Sequence, residues 1–585
     1  MIGKRREYEV ERQKTDILIL GSGGAGLFAA LHAKDADPTL HVTVAVKGLL
    51  GKCGCTRMVQ GGYNVALAPG DSVERHFMDT IEGGKWLNRQ DLAWTLVTVA
   101  QTRIRELENE LGCFFDRNPD GTVHQKAFAG QTFDRTVHKG DLTGIEIINR
   151  LMEQVWARDI ERLEDHRGMA LVPGADGEGL SGVLFIDMRS GEFRLVQARA
   201  ILLATGGGPT MYKYHTPSGD KSCDGMAMAL RAGLGLRDLE MVQFHPTGLL
   251  AGPDTRMTGT VLEEGLRGAG GWLLDGNGER FMTKYDERGE RATRDIVSRA
   301  MIEEMRTGHT TPLGGLYLQM QHLGAEKVRQ QFKGMVERCA DCGFDLAGGR
   351  VEVVPTAHYM MGGIEFENDC RTARPGLYAA GEDTGGVHGA NRLGGNGVAN
   401  ATVFGGLAGE SMAAFLARNR AWTKPSAAFL KRAVADCLAP LNKPAGNLHA
   451  VRERLFDIMW EQVGVIRDHA GLQHAASSLK DLDTELDRIG VPGGELAFNL
   501  TWHDWLNLKN LILVSRAITA AALARTNSRG AHYRSDCPEP GDLNTSYYTQ
   551  VTVDGDDFTV EKPPVRFARV HPGESLLQPN EAQRA

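Results

Sequence analysis

Three glycine-rich segments of the chain carry the residue types that could do chemistry. They read QFHPTG, LEEGLRGAGG with TRDIVSRA, and PTAHYMMGG with HGANRLGGNG, and their ionisable residues include His245, Glu263, Glu264, Arg267, Arg294, His358 and Arg392. Arginine holds anions through paired hydrogen bonds, and histidine and glutamate transfer protons. A single histidine is more often a hydrogen-bonded structural residue. Three such segments, together with the dinucleotide-binding pattern at the start of the chain, favour a functional site.

The start of the chain has the pattern of a β-α-β nucleotide-binding unit. An apolar run, Asp16–Leu20, precedes four glycines and a helical pattern, Leu27–Lys34, and a second apolar run, His41–Val46, closes the unit. The glycines are Gly21, Gly23, Gly24 and Gly26. Glycines at this place let backbone amides approach a pyrophosphate at the N-terminus of the helix. An ordinary glycine turn is the alternative, but the strand, helix and strand around it favour dinucleotide binding.

The residue after the second strand decides between two cofactors. NAD-binding units carry an acidic residue about 20 residues beyond the glycines, where it holds the ribose. This chain has Lys47 there. The pattern therefore argues against NAD and favours FAD.

Composition excludes several classes of protein. The 585 residues carry 66 basic and 74 acidic side chains, a net charge of −8, so there is no basic footprint for nucleic acid. No apolar run reaches the ~18 residues of a membrane span, and the polar start MIGKRREYEVERQK lacks a signal-peptide core. We expect a cytoplasmic protein without direct membrane insertion. Cys339 and Cys342 have no second pair at zinc spacing, so no metal site is predicted.

The pattern along the chain predicts an α/β fold with an insertion. Strand signals continue to a hairpin ending in the buried strand Ala200–Ala204, change character near residue 250, and resume at GLYAAGED. Helical periodicity dominates from about residue 425 to 525, and a strand-like tail follows. We predict a nucleotide-binding domain in two parts, residues 1–250 and 355–424. An inserted domain occupies 251–354, a helical domain 425–545 and a tail 546–585.

Ten motifs in order resemble the flavoprotein subunit of the succinate dehydrogenase/fumarate reductase family, which includes L-aspartate oxidase. They are ILGSGGAG, GDLTG, ATGGG, DGMAMAL, VQFHPTG, EEGLRGAGG, RDIVSRA, PTAHYMMGGI, HGANRLGGN and NSRGAH. The resemblance covers nearly the whole chain. It implies a Rossmann-like FAD-binding domain interrupted by an α+β capping domain and followed by a C-terminal helical domain.

The resemblance also implies hydride transfer between flavin N5 and a carbon–carbon bond next to a carboxylate. By motif match, His358 and Arg392 hold that carboxylate and His245 faces the other end of a small organic acid. Arg294 matches the family's proton-transferring arginine, and Glu264 and Arg267 match the relay that returns its proton. Asp295 either orients Arg294 or stabilises a helix start.

The motifs further imply which residues bind FAD. Besides the four glycines of the first turn, the expected contacts are Lys47, Cys55, Thr56, Gly61, Gly62, Thr205, Gly206, Asp224, Glu382, Asn396 and Val398.

The first departure from the family concerns the substrate. Glu263 stands where the family usually has a threonine that helps hold the second carboxylate of fumarate or succinate. Two like charges 4 Å apart repel by roughly 4 kcal/mol at an effective dielectric constant of 20. Either Glu263 points away from the site or the distal end of the substrate is a donor group such as an amine, amide or hydroxyl.

The second departure concerns the attachment of the cofactor. Membrane-complex members bind FAD covalently through a histidine in an S-H-T sequence, and this chain has Cys55 at that place. We expect noncovalent FAD, with a cysteinyl link as the alternative. Loss of the histidyl link favours reduction of an activated alkene, or oxidation by another acceptor.

Three functions remain open from the sequence. The first is an FAD oxidoreductase acting on CH–CH groups of a small carboxylic acid, with electrons exchanged through an iron–sulfur partner subunit that could also attach it to a membrane. The second is an L-aspartate-oxidase-like enzyme. The third is a non-catalytic flavin-binding subunit, which the intact set of catalytic residues disfavours.

Overall fold

The computed structural model describes residues 9–578. The first eight residues of the predicted nucleotide-binding domain and the last seven residues of the predicted tail lie outside the described residues. The strands are β1 (Val10–Leu20), β2 (Val42–Ala45), β3 (Tyr63–Asn64), β4 (Gln125–Lys126), β5 (Thr136–Val137), β6 (Glu161–Leu163), β7 (His166–Pro173), β8 (Leu180–Asp187), β9 (Phe193–Leu203), β10 (Leu236–Arg237), β11 (Val242–Leu249), β12 (Trp272–Leu274), β13 (Leu316–Gln319), β14 (Arg350–Met360), β15 (Gly363–Ile364), β16 (Leu377–Ala379), β17 (Ile466–Arg467), β18 (Tyr533–Arg534), β19 (Gln550–Asp554) and β20 (Asp557–Glu561).

Fourteen α-helices lie within residues 9–578, and the longest two are α10 and α14. They are α1 (Gly24–Ala36), α2 (Val73–Gly83), α3 (Gln90–Asn109), α4 (Thr143–Ala157), α5 (Asp224–Arg231), α6 (Gly265–Gly268), α7 (Arg294–Arg306), α8 (Ala325–Gln331), α9 (Lys333–Ala340), α10 (Asn396–Arg418), α11 (Ala427–Leu438), α12 (Leu448–Gln462), α13 (His469–Arg488) and α14 (Leu500–Ala524).

A seven-stranded sheet forms the first domain. Its strand order is β6-β2-β1-β9-β8-β7, and β16 also pairs with β9. Strands β6, β2, β1, β9 and β16 run parallel, whereas β8 and β7 continue as an antiparallel meander. The side chains of Ile17, Leu18 and Ile19 are fully buried, as expected for a strand covered on both faces. Helices α1 and α10 pack on this sheet, so residues on either side of the insertion build one domain.

The first strand begins earlier than the apolar pattern predicts. It starts at Val10 instead of Asp16, because the polar residues 10–15 extend the parallel ladder with residues 193–198 of β9. Most of these side chains are partly or largely accessible, so the segment carries none of the hydrophobic signal of a buried strand.

The inserted domain is a four-stranded antiparallel sheet with helices. Its order is β11-β14-β13-β12, and the sheet encloses its own apolar cluster with α7, α8 and α9. The sheet begins at Val242 and ends at Met360, so it extends beyond the predicted range 251–354 on both sides. The pairing of β11 with β14 explains this difference, because two strands distant in sequence complete each other's hydrogen bonds.

The helical region packs four helices, α11 to α14, against the first domain. Helix α14 is the one helix in residues 9–578 that is long and apolar enough to cross a bilayer, but 72% of its most apolar 18-residue window is buried inside the protein. It is the core of the helical region, with α12 and α13 packed on it. The tail pairs as the hairpin β19–β20 with β10, so it joins a small sheet of the body of the protein.

Candidate active site

The glycine turn between β1 and α1 is built by close backbone contact. Gly21 has φ = +112°, and a Cβ atom there would lie 2.1 Å from the carbonyl oxygen of Ala204. A Cβ atom on Gly26 would lie 2.0 Å from the carbonyl oxygen of Gly21, so any larger residue would separate the turn from the helix. Helix α1 starts after Gly23 without a side-chain cap, which leaves amides at its N-terminus for a ligand.

One long cavity extends from this turn to the polar residues of the inserted domain. Thirteen of the predicted cofactor residues line it: Gly21, Gly23, Gly24, Lys47, Cys55, Thr56, Gly61, Gly62, Thr205, Gly206, Asp224, Glu382 and Val398. Gly26 serves the turn instead. Asn396 is fully buried, and its side chain bonds to Asn64, His76 and Thr80, so it holds the start of α10 in place.

A buried charge network closes one end of the cavity. Lys47 Nζ lies 2.8 Å from Asp224 Oδ2, and Arg167 Nη2 lies 3.1 Å from Asp224 Oδ1. Helix α14 adds two amides, since Asn510 Nδ2 donates to Asp224 over 2.6 Å and Asn507 accepts from Arg167. The two cations outweigh desolvation and lower the pKa of Asp224 below its usual range. Lys47 thus pairs with an acid of the chain itself.

Two acids lie beside the glycine cluster that follows β9. Glu382 accepts from the backbone amide of Met360 at 3.0 Å, and Asp383 accepts from the backbone and hydroxyl of Thr205. Burial raises the pKa of each to about 7. Each carboxyl is therefore partly protonated near neutral pH, and of the two only Glu382 lines the cavity.

The segment at the predicted flavin-attachment position forms a short 3₁₀ turn, Cys55–Met58. Thr56 Oγ1 accepts a hydrogen bond from the backbone amide of Gly24, which joins this turn to the start of α1. Cys55 lines the cavity, and burial raises the pKa of its thiol to about 12. A thiol with such a pKa stays protonated and is a poor nucleophile.

Arg294, the first residue of α7, lies at the other end of the cavity, where it contacts two neighbouring side chains. Its Nε and Nη2 donate to Glu264 Oε2 over 2.9 and 2.5 Å, and its Nη1 donates to Gln243 Oε1 over 2.9 Å. Behind Glu264 lies Arg267, whose Nη2 is 3.6 Å from Glu264 Oε1. Arg294 and Glu264 line the cavity, whereas Arg267 is behind them, in the order that a proton relay requires. Asp295 forms no bond to Arg294 and occupies the first turn of α7.

His245 and His358 face each other across the paired strands β11 and β14, with ring centroids 5.4 Å apart. The backbone amide of Thr247 points to His245 Nδ1 at 3.3 Å, which assigns the proton to Nε2. His358 Nδ1 is hydrogen-bonded to Thr216 Oγ1 at 2.8 Å. Burial and the nearby arginines lower the pKa of both rings well below 6.5. Both histidines are therefore neutral hydrogen-bond donors at physiological pH.

Buried neutral histidines predict a loss of stability at mildly acid pH. The pKa is lowered by burial for His76, His245, His358, His388 and His532. Unfolding lets each ring take up a proton below pH 6.5, so each costs about 1.4 kcal/mol of stability per pH unit. Glu263, Glu382 and Asp383 have raised pKa values and act in the opposite direction, but burial also lowers the pKa of His138, His215 and His503, so the neutral rings outnumber these carboxyls.

We therefore expect the melting temperature to fall between pH 6.5 and 5.5. Differential scanning calorimetry of the FAD-loaded chain measures it. His449 is exposed and serves as a control, because His449→Gln should leave the pH dependence unchanged. A melting temperature that is constant or rises over this range would contradict the neutral state of the buried rings.

Arg392 completes the cationic end of the cavity. Its guanidinium lies 4.4 Å from the ring centroid of Tyr359, and its Nε has no hydrogen-bond partner within residues 9–578. Burial and the charge of Arg294 lower the pKa of Arg392 to about 10. The three arginines Arg267, Arg294 and Arg392 outnumber the two acids at this end of the cavity, Glu263 and Glu264, which leaves an excess of positive charge. This end is suited to bind an anion such as a carboxylate.

Glu263 faces the cavity and does not point away from it. Its side chain is buried, and its Oε2 lies 3.4 Å from Nζ of Lys126 on β4. The other oxygen, Oε1, has no hydrogen-bond partner within the described residues. Desolvation raises the pKa of Glu263, although Lys126 acts against this shift. No local sequence signal pairs Lys126 with Glu263, because Lys126 lies 137 residues earlier in the chain.

The fold and the site together define a class of protein. The cavity fits an extended dinucleotide, because it adjoins a glycine turn and two helix N-termini without side-chain caps, at Gly23 and Gly395. A second site, made of arginines and histidines, lies at the other end of the cavity. A model of an FAD binding domain matches residues 16–398, and a model described as fumarate reductase flavoprotein C-term matches residues 452–579. The protein is an FAD-dependent oxidoreductase.

Relatives of known name specify the family. One is a subunit of the CoM/CoB fumarate reductase of Methanothermobacter marburgensis, 40% identical over 538 residues that cover 91% of this chain and 96% of the relative. Another is the fumarate reductase flavoprotein of Escherichia coli, 34% identical over 571 residues, with 93% of each chain covered. The chain belongs to the flavoprotein subunit family of fumarate reductases and succinate dehydrogenases.

Solved structures agree with this assignment. A chain of E. coli quinol fumarate reductase superposes with a TM-score of 0.90 at 32% identity, covering 97% of this chain and 99% of that chain. Mycobacterium smegmatis Sdh1 gives a TM-score of 0.86 at 35% identity, with 95% of each chain covered. The predicted fold class, FAD as cofactor and oxidoreductase activity on CH–CH groups are confirmed.

Proposed function

We propose that this chain transfers hydride to or from a carbon–carbon bond next to a carboxylate, with Arg294 moving the accompanying proton. The observation that supports this is the single cavity that joins the FAD-binding turn to Arg294, His245, His358 and Arg392. Bound FAD supplies the two-electron chemistry at its N5 position. The side chains of the protein bind the acid, polarise it and supply the proton.

Arg392 and His358 bind the carboxylate next to the reacting carbon. The guanidinium-bearing side chain of Arg392 and the partly buried, neutral ring of His358 both line the cavity. A carboxylate there accepts hydrogen bonds that strengthen as negative charge develops next to it during reduction. His245 presents its Nε2 proton toward the other end of the substrate.

Arg294 has free donors for the proton transfer. Three of the five N–H groups of its guanidinium are used by Glu264 and Gln243, which leaves two for the substrate. Glu264 bonds Arg294 through one oxygen and lies near Arg267 through the other. The chain Arg294–Glu264–Arg267 thus returns a proton to Arg294 after each turnover.

Glu263 selects a substrate whose distal end donates a hydrogen bond. Its side chain lines the cavity, and Lys126 contacts its Oε2 over 3.4 Å. The Lys126 charge offsets part of the repulsion that a second substrate carboxylate would meet, but a carboxylate at this place is still bound best by a hydrogen-bond donor. An amine, amide or hydroxyl group is such a donor, which also admits an L-aspartate-like substrate as the second candidate.

An anaerobic activity screen tests the proposed function. Reduced benzyl viologen serves as electron donor for 2-enoates, and L-aspartate is tested by bleaching of the flavin. We expect reduction of enoates with a distal amide or hydroxyl, and weaker turnover of fumarate, which is the substrate named for several relatives. Bleaching by L-aspartate together with inert enoates would instead establish amino acid oxidation.

Noncovalent FAD is the second expected result. Because the Cys55 thiol stays protonated, acid precipitation should leave the flavin in the supernatant. Cys55→Ser should keep the ratio of flavin to protein unchanged, and Cys537→Ser is the matched control far from the cavity. Yellow colour in the washed pellet that disappears in Cys55→Ser would establish a cysteinyl link.

Electron exchange through an iron–sulfur subunit is the proposed physiological arrangement. It is supported by the names of the relatives, several of which are flavoprotein subunits, among them that of the 8-methylmenaquinol:fumarate reductase of Wolinella succinogenes. Such a partner would also account for membrane association of a chain that otherwise resides in the cytoplasm. Affinity purification from the native host followed by iron analysis tests this arrangement.

A further inference from the structure

A second cavity lies directly behind the closed end of the cofactor site. Its walls are β7, β8 and α5 on one side and α11 and α14 on the other, and we call it the rear cavity. Met228 of α5 lines both cavities, so the two cavities share this part of their walls. Asn510 lines the rear cavity and donates to Asp224 of the cofactor site over 2.6 Å.

The charged side chains of the rear cavity are mostly cationic. They are Arg231, Arg374, Arg432, Lys443 and Lys509, against Asp436 and Asp487. Lys509 is neutralised by Asp483 and Asp487 at 2.6 and 3.0 Å. Arg374 donates only to carbonyl oxygens, and Arg432 lies over the ring of Phe429 at 5.6 Å. The cavity therefore keeps an excess of unneutralised positive charge.

Arg231, the last residue of α5, is the central cation. It forms no hydrogen bond or ion pair within residues 9–578. Its side chain is accessible, yet surrounding protein desolvates it enough to lower its pKa. Both observations agree if the guanidinium faces a recess in the protein. An arginine in such a place gains most from a bidentate anionic partner.

The remaining wall of the rear cavity is apolar. Met169 and Leu171 come from β7, Leu180 from β8, and Phe429 and Trp505 from the helices opposite. Met169 and Phe429 are only partly buried, so their surfaces are free to contact a ligand. A cationic centre with apolar walls matches a molecule that has one anionic group and an apolar body.

We propose that the rear cavity binds a small organic anion with an apolar body, held at its carboxylate or phosphate group by Arg231 and Arg432. This site is independent of the proposed reaction, because none of the residues placed in the catalytic site lines it. A bound anion contacts Met228, which also lines the cofactor cavity, and Asn510, which donates a hydrogen bond to Asp224. Binding therefore slows the release of FAD.

Isothermal titration calorimetry on the FAD-loaded full chain tests the proposal. Octanoate and hexyl phosphate are the probes, octanol is the uncharged control, and an Arg392→Ala background removes binding in the catalytic site. We expect saturable binding of at least one anion, weakened at least about tenfold by Arg231→Gln or Arg432→Gln, since loss of one charged hydrogen-bonded pair costs about 1.4 kcal/mol or more. Arg306→Gln, on the exposed end of α7, should change nothing.

The titrations identify the anionic group that the rear cavity binds, or overturn the proposal. Tighter octanoate binding assigns the head group as carboxylate, and tighter hexyl phosphate binding assigns it as phosphate. Equal affinity in both arginine variants, octanol binding as tight as octanoate, or no saturable binding of either anion would overturn the proposal. Slower FAD dissociation with the bound anion, measured by flavin fluorescence, provides a second readout that a purely structural role of Arg231 would not give.

Discussion

Arg294→Lys is expected to lower turnover by about 10³-fold or more while FAD stays bound, because removing a positioned proton donor costs two to four orders of magnitude. Lysine keeps the positive charge but cannot bond Glu264 through two nitrogens and Gln243 through a third, as Arg294 does. The proton would then come from solvent, which the buried site excludes. Stopped-flow measurement of flavin reoxidation by an enoate isolates this step.

The control for this variant is Arg306→Lys, in the same helix but exposed at its far end. It should retain wild-type rates. Flavin absorbance and melting temperature establish that Arg294→Lys folds and keeps its cofactor. Turnover within about tenfold of wild type would contradict Arg294 as the proton donor and direct attention to another group at the cavity.

Glu263→Thr is expected to change the substrate preference. Removing the carboxylate removes the repulsion of a second substrate carboxylate, at most about 4 kcal/mol at 4 Å and partly offset by Lys126. We expect kcat/KM for fumarate or succinate to rise about tenfold or more, and that for a substrate with a distal amide to fall. Steady-state kinetics with paired substrates measures both changes.

Lys126→Met is the matched opposite change. It leaves Glu263 without its cation, so fumarate should become a poorer substrate and a cationic or amide group at the distal end a better one. Glu337→Thr, at an exposed position on α9, is the control without effect. Unchanged preference in both Glu263→Thr and Lys126→Met would show that this pair does not contact the substrate.

Local patterns predict the parts of the site that adjoin a glycine turn or a strand end. The predicted helical pattern Leu27–Lys34 lies within α1, and the apolar run 16–20 lies within β1. These features can be predicted because they depend on residues close together in sequence, which set the hydrophobic periodicity and mark where a helix begins. The same holds for the Gly21–Gly26 turn.

Contacts between distant segments carry no such local signal. Lys126 reaches Glu263 from a two-residue strand, and Asn510 reaches Asp224 from the helical region 286 residues later. The start of the inserted sheet at Val242 depends on pairing with β14, which lies far along the chain. Polar residues in short or irregular elements have no periodicity, so only the tertiary structure reveals their partners.

The groups that we propose to bind the substrate belong to two different parts of the molecule. His245 and His358 are carried by the paired strands β11 and β14 of the inserted sheet, and Arg294 by a helix packed on it, whereas Arg392 precedes α10 of the first domain. A carboxylate held by both His358 and Arg392 therefore spans the junction between these parts. On this proposal a bound substrate links the inserted sheet to the first domain, and release of the product removes that link.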